Sequence, residues 1–263
     1  MLSAGGIVDH AFSTRLGGCS TGSVASLNMA FHTDDQEENV LENRCRFFKI
    51  FNCDHLEIVS AAQVHGSEIA RVDQNNRSEG ATPGSTTIRC DALLTTEPEL
   101  VLTAYSADCM LIYIAVTDIP LIAIVHAGRR GTLQGIAEKV IRVVTADYRV
   151  SPDRIMAVLS PSICKNCYTI KQEIAAEFSS AGWTGREYLE QGDSPDWHLD
   201  LAAINRAQLL NAGLSSENLD QSELCTSCRS DLFYSYRRDR GKTGRMIGFI
   251  KLRSNRGENK LER

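Results

Sequence analysis

The chain has 263 residues, 43% apolar and 23% charged, with a formal net charge of −5. That length suits one large domain or two small ones. No run approaches the roughly 20 apolar residues of a membrane span, and the acidic balance argues against a general nucleic-acid binder.

Nine cysteines, an odd number, in a long chain whose N-terminus has no basic and apolar leader, point to a reducing cytoplasm rather than a disulfide scaffold. In chain order, "HAFSTRLGGCSTGSVASLN" is rich in Gly, Ser and Thr and reads as loop. "DDQEENVLENRCRFFKIFN" places acids first and bases last around helically spaced apolar residues, which predicts a helix matched to its dipole. "EIVSAAQVHG" reads as a short strand ending at His65, and "DQNNRSEGATPGSTTIRC" as an exposed connection. "DALLTT", "LVLTAYSADC", "LIYIAV" and "PLIAIVHAG" are nearly continuous apolar runs, as expected for strands covered on both faces. "GTLQGIAEKVIRVVTADY" predicts a helix, "IMAVLSPS" a strand, "KQEIAAEFSSAG" and "LDLAAINRAQLLNAG" two more helices, and "MIGFIKL" a late strand. The expectation is one α+β domain of mixed β-sheets flanked by helices over residues 1–250, followed by a frayed tail, 251–263.

Four constellations offer chemistry. His65, Cys109 and His126 close three apolar runs, and a residue at a strand end is rigidly held yet faces loops. Two imidazoles and a thiolate suit zinc with a fourth position open. The same residues also read as two hydrogen-bonded histidines and a buried thiol. "CKNC" at 164–167 and "CTSC" at 225–228 form two C-x-x-C pairs, but 57 residues lie between them, against the roughly 15–20 of a compact ribbon. They are expected to be cysteines of two neighbouring loops, without a four-cysteine metal site. "TRLGGCSTG" offers Arg15, glycines and Ser20 to a phosphate, with Arg44 as a second cation. "FYSYRRDRGKTGRMIGFI" reads as arginines packing on tyrosines and pairing with Asp239.

The strings "FSTRLGGCSTGSVASLNMAFHTDD", "ENR", "QVHG", "DALLTT", "SADC", "VHAGRRG", "CYTI", "HLDL", "CTSC" and "FYSYRRDRGKTGRMIGFI" together resemble one family, in that family's order over about residues 12–250. It is the multicopper polyphenol oxidoreductase (laccase-like) family, also called peptidoglycan editing factor and described as zinc-dependent purine nucleoside enzymes. The resemblance implies that His65, Cys109 and His126 are metal ligands and that the C-x-x-C strings are not a zinc knuckle. It implies a fold similar to the cysteine-hydrolase-like fold of deamidating toxins. Arg129 stands where the family has Trp, Met110 follows "ADC" in place of Pro, and "SPSICKNCY" replaces a Gly-Pro pattern.

The implied activity is phosphorolysis of adenosine, inosine, guanosine and methylthioadenosine, with adenosine deamination. The resemblance implies Zn2+ as cofactor, with Cu2+ as the in vitro alternative, and inorganic phosphate as co-substrate. The expected partners are purine nucleosides and phosphate, with no nucleic acid and no membrane. Cys109, His126 and Asp108 are the expected catalytic set, with Asp108 orienting a ligand or carrying a proton. Arg15, Ser20, Asn28, Arg44, Gln63 and Arg130 are the expected substrate contacts. Three other readings stand beside this one: a copper oxidase, a cysteine hydrolase using Cys109 and His126, and a zinc-stabilised binder of peptidoglycan precursors. Six histidines are too few for the several coppers of a standard laccase.

Overall fold

The computed structural model describes residues 6–86, 88–192 and 195–253. Its strands and helices, in chain order, are β1 (Val8–Phe12), α1 (Glu37–Lys49), β2 (Ile58–Ser60), β3 (Ile69–Arg71), β4 (Ala92–Thr95), β5 (Val101–Ser106), β6 (Met110–Val116), β7 (Ile122–Ala127), α2 (Arg129–Leu133), α3 (Ile136–Tyr148), β8 (Ile155–Leu159), β9 (Thr169–Ile170), α4 (Gln172–Ser180), β10 (Leu189–Gln191), β11 (Trp197–Leu199), α5 (Leu201–Asn211), β12 (Leu219–Gln221) and β13 (Met246–Leu252). A four-stranded sheet has the order β1-β13-β5-β2, and a six-stranded sheet the order β12-β8-β6-β7-β4-β3. Each mixes parallel and antiparallel pairs, so the fold is α+β with mixed sheets.

The alternation along the strands explains their continuous apolar character. In β6, Met110, Ile112, Ile114 and Val116 face a core shared with α3 and α5, while Leu111, Tyr113 and Ala115 face the other sheet. In β13, Ile250 and Leu252 point to that inter-sheet core, and Ile247 and Phe249 point to α1. The layers therefore run α1, four-stranded sheet, six-stranded sheet, then α3 with α5. Both faces of both sheets are covered, so every position of β4, β5, β6 and β7 is buried and nearly all are apolar, with Thr95, Thr103, Ser106 and His126 the polar ones besides Tyr105 and Tyr113. A third sheet of β10-β11-β9 packs with α4 around Phe178, Leu189 and Leu199.

Several expectations need correction. The run after Ile136 is helical as expected, but the predicted helix over 131–148 is divided. Gly135 adopts φ +76° and separates α2 from α3, a conformation that glycine takes without a Cβ penalty. The strand expected to end at His65 stops at Ser60, and the one expected to end at Cys109 stops at Ser106. The Gly/Ser/Thr-rich start contains β1, which pairs with β13 from Val8↔Leu252 to Phe12↔Gly248. β13 itself runs to Leu252, past the expected tail boundary at 250, and residues 254–263 lie outside the described residues.

Candidate metal centre

β5 belongs to one sheet and β6 to the other, so the turn Ala107–Cys109 carries the chain between layers. The Ser106 hydroxyl donates to the carbonyl of Cys109 and closes that turn. His126 stands near the end of β7 with Ile122 and Ile124 on the inter-sheet face, opposite Leu111 of β6. His65 comes from the loop between β2 and β3. The potential ligand atoms of His65, Cys109 and His126 lie within 4.8 Å of one another. The two imidazole rings meet edge-on, centroids 4.8 Å apart. Residues 44 and 17 positions apart in sequence thus share one site.

The organiser of this site is Asp91, just before β4, a residue that the sequence reading passed over. Its Oδ1 lies 2.8 Å from His126 Nδ1, which leaves His126 Nε2 for the shared space. The same carboxylate accepts the backbone N–H groups of His65 at 2.9 Å, Gly66 at 2.7 Å and Val64 at 3.3 Å. His65 is held at φ +57°, outside the usual range for a residue with a side chain, and those bonds fix it there. An acid opening an otherwise apolar buried run was the available signal, because a buried carboxylate requires partners.

Electrostatics follow from this packing. Burial raises the Cys109 thiol, but His126 and His65 overcome it and bring the thiol down to about 6. Burial lowers His126, but the Cys109 thiolate and Asp91 raise it to about 9. Burial also raises Asp91, and the bonds from His126 and the Gly66 and His65 amides hold it below the ordinary carboxylate value. Without metal, the site is a thiolate–imidazolium pair oriented by a carboxylate.

A metal of the zinc or copper class suits the donor set of two imidazoles and one thiolate. The backbone also leaves room for it. A Cβ on Gly128 would come within 3.0 Å of Cys109 Sγ, 3.0 Å of His65 Nδ1 and 3.4 Å of His126 Cε1. Glycine keeps the approach to all three side chains open.

The other expected site residues have different surroundings. The Arg15 guanidinium donates to the carbonyls of Ala25 and Ser230 and lies over the Tyr234 ring at 4.8 Å, so its donors are committed to the backbone. Arg44 is buried; it bonds the carbonyls of Met29, Gly80 and Ala81 and stacks on Phe31. Ser20 and Asn28 are buried in a network with Asp35 and Asn43. Gln63 clamps the backbone N–H and C=O of Tyr105. Asp108 accepts the Thr226 hydroxyl and the Arg237 N–H, one on each carboxylate oxygen, and its carbonyl accepts Ile163 N–H. It positions the Cys109 turn rather than presenting a free base. Arg130 is exposed at the start of α2, beside Arg129.

Arg245, and Arg237 beside Tyr168, join Arg129 as cations near the site. Arg245 is pulled down by burial and pushed back up by the charges of Cys109 and Asp108. Burial raises the Tyr168 hydroxyl, Cys109 raises it further, and Arg129 and Arg237 lower it. Four groups thus sit within electrostatic reach of the Cys109 sulfur or of its neighbour Tyr168.

The family described as multi-copper polyphenol oxidoreductase laccase matches residues 9–253 of this chain. A relative named purine nucleoside phosphorylase YlmD, from Bacillus subtilis, is 34% identical over 240 residues, covering 91% of this chain and 86% of its own. One named adenosine deaminase RL5, from an unknown prokaryotic organism, is 29% identical over 237 residues, covering 87% and 88%. The crystal structure of the hypothetical protein YfiH of Bacillus licheniformis superposes with a TM-score of 0.90 at 34% identity, covering 94% of this chain and 93% of that one. The chain belongs to the multi-copper polyphenol oxidoreductase laccase family and is one of its enzymes.

Proposed function

We propose that this chain is a zinc-dependent purine nucleoside phosphorylase that also deaminates adenosine. The observation that carries this reading is the convergence of His65, Cys109 and His126 on the space that Gly128 leaves open. Relatives named for both activities support it. Zinc bound by these three residues, with one position open, supplies Lewis acidity and a lowered pKa for a water.

The chain's own residues do the rest. Asp91 fixes the tautomer and direction of His126. His32, edge-on to the Tyr105 ring with centroids 6.4 Å apart, is lowered by burial and by the charges of Arg245, Arg44 and His65, which favours the neutral imidazole that can hydrogen-bond a purine. Phosphate is held by the guanidinium groups of Arg129, Arg130, Arg237 and Arg245; Arg237 and Arg245 each anchor one nitrogen, Nη1, on backbone carbonyls, whereas Arg15 spends all three nitrogens on carbonyls and Arg44 is buried among them. A local cationic rim is needed because the chain as a whole is acidic.

The test is product analysis of adenosine with and without phosphate. Adenine and ribose 1-phosphate should appear only with phosphate, and inosine in both conditions. Absence of adenine at any phosphate concentration would overturn the phosphorylase reading. Arg245→Lys should raise the KM for phosphate about tenfold through loss of bidentate geometry, with deamination retained. Arg15→Lys should leave that KM unchanged.

One observation favours a second reading. The Cys109 thiolate, the raised His126 and the Asp91 carboxylate also form the order of groups used by cysteine hydrolases. A strong chelator separates the two readings: it abolishes the nucleoside activities and spares a thiol hydrolase.

A further inference from the structure

The second C-x-x-C pair and the first are not strangers in space. All four sulfurs of Cys164, Cys167, Cys225 and Cys228 lie within 4.8 Å of one another. The two loops are neighbours, as expected, and their sulfurs converge closely enough to share one ion, which their separation in sequence did not suggest. The physical reason is the sheet. β8 and β12 are parallel neighbours, with Leu219 opposite Ala157 and Gln221 opposite Leu159. The segments that follow them leave the same end of the sheet, and a parallel bridge joins Ser162 to Cys225. Chain length between parallel strands is spent on the crossover, so it says nothing about how close their ends are.

We propose that Cys164, Cys167, Cys225 and Cys228 hold a second zinc ion in a closed four-thiolate site. Zn–S bonds of about 2.3 Å place the sulfurs of a tetrahedron about 3.8 Å apart. Cys167 Sγ lies 3.4 Å from Cys228 Sγ, and no pair of the four sulfurs is more than 4.8 Å apart, which brackets that spacing. Such a spread suits one ion and is too tight for the thiolates of an iron–sulfur cluster. Each pair is folded as a turn: Cys167 N–H bonds the carbonyl of Cys164 at 3.1 Å, and Cys228 N–H points at the sulfur of Cys225 at 3.4 Å. Cys164 N–H reaches the same sulfur at 3.3 Å, crossing from one pair to the other. Two backbone donors aimed at one sulfur are what a metal-bound thiolate accepts. The Arg238 guanidinium, paired with Asp239, bonds the carbonyls of Thr226 and Ser227 between the two cysteines of the second pair and so fixes that turn. With four protein ligands, no position remains for substrate, so the role is structural. The clamp joins two segments that both grip Asp108. Ile163 N–H binds its carbonyl, and Thr226 and Arg237 bind its carboxylate. The second zinc therefore steadies the turn that presents Cys109.

The test counts metal and identifies ligands, without reference to activity. Protein purified without chelator should contain two zinc ions per chain by elemental analysis. Cys109→Ala should retain one, and X-ray absorption of that variant should find four sulfurs at about 2.3 Å. Cys167→Ser with Cys228→Ser should fall from two ions to one, with the remaining zinc bound by nitrogen and sulfur. After denaturation with chelator and no reductant, all nine cysteines should titrate as thiols. The proposal is overturned if Cys109→Ala carries no zinc, if its metal is iron or has fewer than three sulfur ligands, or if the thiol count shows a Cys167–Cys228 disulfide. Should the double variant fail to fold, the count in the unmodified chain and the spectrum of Cys109→Ala decide the matter.

Discussion

At the residue scale, one side chain, Asp91, and one missing side chain, that of Gly128, set the properties of the His65–Cys109–His126 site. Gly128 has φ −78° and ψ 176°, which alanine adopts without strain, so Gly128→Ala tests space alone. Its methyl group would meet Cys109, His65 and His126 at 3.0–3.4 Å. Zinc affinity of that site should fall at least about tenfold while the unfolding midpoint of the metal-free protein stays nearly constant; competition with a chromogenic chelator reads the first and thermal unfolding the second. Asp91→Asn removes the charge that orients His126 and leaves the amides of Val64, His65 and Gly66 with a poorer acceptor. The expected cost is about 10–100-fold in metal affinity and about 1–3 kcal/mol in stability. An affinity unchanged by Asp91→Asn would remove Asp91 from the metal site. The pH dependence has a definite sign. Below about 9 His126 is protonated, while Cys109 is a thiolate above about 6. Metal must displace the imidazolium proton, so affinity falls as pH falls from 9, and calorimetry in buffers of different ionisation enthalpy should detect proton release at neutral pH.

At the element scale, much of what resembled a ligand-binding loop is architecture. Arg44 projects from α1 and ties three carbonyls of two loops, with the faces of Phe31 and Tyr105 against its guanidinium. Removing it leaves buried acceptors unpaired and a void. Arg44→Ala should therefore lose about 3 kcal/mol or more in denaturant unfolding, and the folded fraction should keep its KM for phosphate. A large rise in that KM without loss of stability would restore Arg44 as a phosphate contact. α1 itself was readable, because Glu37 and Glu38 open it, Arg46 and Lys49 close it, and its apolar residues recur on one face. β9, β10, β11 and β12 were not readable. Each has two or three residues, too few to display a period, and exists through its neighbours' hydrogen bonds.

At the scale of the whole molecule, the site is assembled from more than one layer. His126 rides on β7, Cys109 sits on the turn between sheets, and His65 is fixed by an acid at the start of β4. Metal bound by all three links three segments that are far apart in the chain. Chelation should lower the unfolding midpoint by several degrees, corresponding to about 2.7 kcal/mol when free zinc stands at a hundred times its Kd. An unfolding midpoint indifferent to zinc would argue against a native-state site at these residues. The sequence by itself determined the buried central strands, the main helices and the identity of His65, Cys109 and His126 as candidates, because apolar periodicity and family strings are local properties of the chain. It also placed the family through strings that span nearly the whole fold. Only the tertiary structure decided that Asp91 orders the site, that Gly128 leaves it open, that Arg15 and Arg44 are committed to carbonyls, and that the two C-x-x-C pairs meet. Those facts depend on which strands lie side by side and which donors are already used, and distance along the chain carries neither.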